Sequence, residues 1–179
     1  MEKIEFNKLL LKTAFSCMAC DGDIDKSEIQ LIKKLHNENR TFGDININSE
    51  LDLMLEDINK DSHQYMKDYF NDLTSAQLSE SNELSLIEVA IETIKADEKI
   101  EYSEIKFFKV IRSKLSIDND SILEKHPDFD DYLEEDIITD SYLARLQSDF
   151  LDTHTSNQFE LISLMDDNLL DNLKSNNKE

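Results

Sequence analysis

The residues of this chain best suited to chemistry are carboxylates, gathered at two places. Asp21, Asp23 and Asp25 alternate along one short stretch, and Glu28 follows three residues after the last of them. Seventy-six residues on, Asp97, Glu98, Glu101 and Glu104 stand in nearly the same pattern. Hard oxygen donors so placed suit a divalent cation such as Ca²⁺ or Mg²⁺, although such ions want six or more oxygens and one turn offers about three. The same residues at a helix start also act as caps: an Asp-x-x-Glu box covers free amides, and acidic groups there complement the helix dipole without any ligand. Counted from Asp21, the sixth position is Lys26 and the twelfth is Ile32. An EF-hand, which needs Gly and Glu at those places, is therefore excluded.

Other chemistries find little footing. Cys17 and Cys20 form a Cys-x-x-Cys with no second pair. Positions i and i+3 share a helical face, so they read as two small buried side chains rather than a metal or redox site. The four histidines, His36, His63, His126 and His154, show no ligand spacing. His36 falls on the apolar side of its helix and reads as a core or boundary residue. Two glycines are too few for a phosphate-cradling loop, and no nucleophile context surrounds a Ser or Cys. The expectation is a binding protein, not an enzyme.

The elements that must position these residues are helices. Two Gly and one Pro in 179 residues leave no supply of tight turns for an all-β protein, so the expected class is all-α. Apolar residues recur at three-and-four spacing. A first helix over 4–20 carries Phe6, Leu9, Leu10, Ala14 and Cys17 inward, and a second runs from the first acidic turn to about 38, through Ile29, Ile32 and Leu35. A polar loop at 39–49 with Gly43 precedes helices over about 50–59 and 62–78. The polar run 79–83 ends the latter, with Ser81 or Asn82 expected to cap a helix over about 83–96. After the second acidic turn comes a helix over 103–115, in which Tyr102, Phe107 and Phe108 read as packing residues.

The two halves match residue by residue. Asp21 pairs with Asp97, Ile24 with Ile100, Asp25 with Glu101, and Ser27, Glu28 and Ile29 with Ser103, Glu104 and Ile105. Helix, acidic turn and helix follow in the same order each time, which predicts an internally duplicated bundle with Ile24 and Ile100 pinning the turns to its core. This pairing over residues 5–117 resembles the tellurite-resistance TerB-like domains, which also include the N-terminal domain of certain membrane-anchored J-domain co-chaperones. The resemblance implies an all-helical duplicated fold and an association with tellurite resistance, chemical stress or phage defence. It also implies a divalent metal, such as calcium, at the acidic turns. Carried onto this chain, the candidate ligands are Asp21, Asp25 and Glu28 in the first turn and Asp97, Glu101 and Glu104 in the second. Glu98 departs from the family pattern, which has Gly there, and this weakens the second site more than the first.

The charge is lopsided. The chain carries a formal −21, and residues 118–179 hold 17 Asp/Glu against 4 Lys/Arg, a net −13, leaving 23 against 15, a net −8, for residues 1–117. Such a balance works against nucleic acid and anionic membrane surfaces and leaves cations and basic protein surfaces as partners. No apolar run reaches the roughly 20 residues of a membrane span, and the first residues lack a signal-peptide core, so a cytoplasmic protein is expected. Residues 1–117 read as the TerB-like domain and 118–179 as an acidic, partly helical C-terminal extension. Its Phe129, Tyr132 and Leu133, and later Leu143, Phe150, Phe159 and Leu169, sit at helical intervals. Whether that apolar face meets the chain's own core or a partner is open. The expected function is a stress- or defence-associated binding or scaffold protein. The alternative is an acidic inhibitor or antitoxin-like protein whose extension fills a basic surface of its target.

Overall fold

The computed structural model describes residues 2–22, 24, 26–96, 100 and 102–133. Those residues form eight α-helices and no strand: α1 Lys3–Met18, α2 Lys26–Asn39, α3 Ile47–Lys60, α4 Ser62–Ser75, α5 Glu80–Ile94, α6 Tyr102–Ser113, α7 Asn119–Leu123 and α8 Asp130–Leu133. Short 3-10 turns lie at Ala19–Asp21 and Pro127–Phe129. None of these helices is long and apolar enough to cross a membrane.

The helices start where short polar side chains can cover their first free amides. Asn46 accepts a hydrogen bond from the Ser49 amide at the start of α3, Asp61 from Gln64 at α4, Ser79 from Asn82 at α5 and Asp118 from Ser121 at α7. The cap of α5 is thus Ser79, not Ser81 or Asn82. The earlier serine begins the helix three residues sooner than the apolar pattern shows, because the first turn of α5 is polar and faces water. Likewise α3 begins ahead of its first strongly periodic residues, since Asn46 precedes Ile47, itself buried.

α1 and α5 form the centre. α1 packs against α3, α4, α5 and α6, and from Leu9 to Met18 only Lys12 is not buried. A helix buried on nearly all sides must absorb its polar groups internally. Thr13 does so by donating to the Leu9 carbonyl at 2.9 Å and accepting from the Tyr69 hydroxyl at 3.2 Å. Tyr69, Phe70 and Phe107 form an aromatic cluster with ring centroids 5.2 to 6.1 Å apart, tying α4 to α6. α1 touches α6 and α2 touches α5, a reciprocal arrangement of the two helix pairs.

Residues after α6 continue this core. Ile117, Ile122, Phe129 and Leu133 are buried in it, with Phe129 edge-on to Phe108 at 5.0 Å. The Glu83 carboxylate accepts from the amides of Ser116 (2.8 Å) and Ile117 (2.7 Å), and Arg112 holds the Asn119 side-chain oxygen. Lys95 pairs with Asp128 and Lys125 with Glu88. For residues 119–133, then, the apolar face meets the chain's own core. The periodic residues from 143 onward lie outside the described residues.

Candidate functional site

The acidic turns grow directly from the central helices. α1 tightens into the 3-10 turn Ala19–Asp21, and Gly22 closes it at φ +92°, a left-handed conformation that favours glycine. Ile24 is buried and Ile100 is partly buried against the core, so the apolar residue of each turn anchors it. Asp21 is exposed at the end of the 3-10 turn. Glu28 and Glu104 are each the third residue of their helix, α2 and α6. Glu28 is half-buried, and Glu104 is only 7% exposed. Asp21, Glu28 and Glu104 each already have an interaction within the protein. Asp25, Asp97 and Glu101 lie outside the described residues.

The first turn lies against the helix that follows the second. The 3-10 turn contacts α6, and Glu28 and Glu104 both bear on the thiol of Cys17. Burial first, and then the charges of Glu104 and Glu28, push that thiol well above the usual range. The Cys20 thiol is pushed up in the same way, by burial, by Cys17 and by Glu104, Asp21 and Glu28. Both cysteines are free and buried. Neutral thiols so placed are poor metal ligands, because thiolates bind metals. The carboxylates here are oxygen donors, the kind that hard cations take. Among the described residues, no three or more His, Cys, Asp or Glu side chains are grouped so as to hold a metal ion.

Other expectations met mixed outcomes. His36 is half-buried with its ring stacked 6.4 Å from that of Phe42, a boundary residue as its position implied. Phe107 and Phe108 are core residues. Tyr102 is not a packing residue. It is 69% exposed, with the Lys106 ammonium 4.4 Å from its ring centroid. As the first residue of α6 it precedes the buried face, and its amphipathic ring is satisfied by a cation one turn on.

A second feature was not anticipated. A groove of about 1010 Å³ runs between α1, α3 and α4, floored by Leu9, Met54 and Tyr65 and rimmed by charged residues. Its one sequence signal is Leu53, an apolar residue beside, rather than on, the inward face of α3, and it is 54% exposed. The groove charges are spread over α1, α3 and α4 and the junction between the last two, so no local motif gathers them.

Comparison with known protein families, curated proteins and solved structures finds no match for this chain.

Proposed function

We propose that this chain is a TerB-like, internally duplicated binding or scaffold protein of stress or defence responses, without catalytic chemistry of its own. Its two acidic turns form a single patch that takes up a divalent cation, Ca²⁺ or Mg²⁺. The observation that supports this reading is the contact of the 3-10 turn with α6, together with the charges of Glu28 and Glu104 both raising the Cys17 thiol. The reciprocal contacts of α1 with α6 and α2 with α5 support the duplication. A folded-state ligand stabilises by about 2.7 kcal/mol at a hundred times its dissociation constant. Millimolar Ca²⁺ should therefore raise the Tm of the full chain by several degrees, and Asp21→Asn should remove the shift. An unchanged Tm with both ions would overturn the cation part.

One observation favours a second reading. Residues 134–179 hold 11 Asp/Glu against 3 Lys/Arg, a net −8, and such a segment suits a basic groove on a target enzyme or toxin. A chain ending at 133 then loses its partner and the salt dependence of binding. On the first reading it keeps both.

A further inference from the structure

We infer that the groove between α1, α3 and α4 is a docking site for a lysine- or arginine-rich amphipathic helix of another protein. The inference rests on the reading of this chain as a binding protein. Within the groove, Lys8 is held by Glu50 and Lys12 by Asp72, each at 2.7 Å. Lys12 is further fixed over the Tyr65 ring, 5.3 Å from its centroid. These two cations are spoken for by the groove's own carboxylates. No cation of the groove neutralises Glu5, Asp57, Asp61 and Asp68 except Lys60, an acidic excess of three, with Glu5 and Asp61 also capping α1 and α4 and Asp68 accepting from the Gln64 side-chain amide.

That excess is spread rather than focused. Among the described residues, no three carboxylates converge as a metal ion requires. They are strung along stretches of residues 5–12, 50–61 and 64–77. Twelve helical residues extend about 18 Å at 1.5 Å each, the length of a three-turn helix with charges distributed along it.

Apolar exposure falls in the same place. Leu53, one of three large hydrophobic side chains exposed among the described residues, lines the groove one helical turn from Glu50. An apolar floor with an acidic rim is the complement of a helix that is apolar on one face and basic on the other. The same charge argues against the other occupants. A second copy brings a further −21, and residues 134–179 are themselves a net −8.

The test uses the full chain and a fluorescein-labelled synthetic peptide of Leu and Lys, about four helical turns long, with Leu at i, i+3, i+4 and i+7. A peptide of identical composition and scrambled order is the control. The amphipathic peptide should bind at least about tenfold more tightly than the scrambled one. Leu53→Glu, and separately Asp57→Lys with Asp68→Lys, should each weaken it at least about tenfold. All three positions are exposed, so circular dichroism and Tm should stay unchanged. Backbone amide shifts on binding should centre on α1, α3 and α4. Equal affinity for both peptides, unaltered affinity in the variants, or shifts confined to residues 134–179 would overturn the inference. So would a failure of the amphipathic peptide to bind. Any of these results leaves the cation titration intact, because it addresses different residues at the acidic turns.

Discussion

Glu28 and Glu104, seventy-six residues apart in sequence, hold the same third position in α2 and α6, and both press their charge on the buried thiol of Cys17. The relationship works against the thiolate of Cys17 in spite of the Cys-x-x-Cys spacing. Burial and two neighbouring carboxylates all disfavour the thiolate.

The first prediction concerns those thiols. Cys17 and Cys20 should resist iodoacetamide in the native protein and react in urea at least about a hundredfold faster, since the nucleophile is the thiolate. Mass spectrometry counts the adducts. Rapid native labelling of either cysteine would contradict the burial.

Stability should decline in alkali. The thiols of Cys17 and Cys20 and the hydroxyls of Tyr65 and Tyr69 are all pushed up, chiefly by burial. Above the ordinary pKa of each group, 9.0 for Cys and 10.0 for Tyr, the unfolded chain gives up a proton that the folded chain keeps. The stability these groups contribute is complete below those values and is lost as pH rises, by about 1.4 kcal/mol per pH unit for each group fully in that window. Urea titrations between pH 8 and about 11 should show the decline. Cys17→Ala should make it shallower, and an identical slope would refute the assignment.

The core of α4 and α6 should be graded by mechanism. Tyr69→Phe removes one hydrogen bond to Thr13, which still donates to the Leu9 carbonyl, and should cost about 1 kcal/mol. Phe107→Ala empties the ring position against Tyr69 and Phe70 and should cost about 3 to 5 kcal/mol. Gly43 has φ +66°, and a Cβ there would fall 2.1 Å from the Asn7 side-chain nitrogen. Gly43→Ala is therefore strained twice and should destabilise by more than about 1 kcal/mol. Asn7→Ala should relieve the contact, so the double variant loses less than the sum of the two.

Truncations should separate the extension into two parts. A chain ending at 117 loses Ile122, Phe129 and Leu133 from the core and should unfold at markedly lower urea than one ending at 133. Equal midpoints would mean that residues 119–133 add nothing to the core.

Much of the fold was legible because the buried faces of α1, α3, α4 and α6 repeat at helical spacing. Leu51, Met54, Leu55 and Ile58, for example, are all buried as their spacing implied. Helix starts were less legible, since caps such as Ser79 lie outside the apolar pattern. The exposure of Tyr102 was hidden because its type favours burial while its place at the helix start decides otherwise. At the site, repetition marked Glu28 and Glu104, but their common reach to Cys17 depends on how α1 and α6 pack, which no local pattern encodes. The groove was hidden for the same reason, being assembled from three helices.

The proposed single cation patch is checked by calorimetric titration of the metal-free full chain with Ca²⁺. A single saturable event is predicted, abolished by Asp21→Asn and equally by Asp97→Asn, because either substitution disrupts the same shared patch. No heat at millimolar Ca²⁺ or Mg²⁺, or a signal that each variant merely halves, would contradict it.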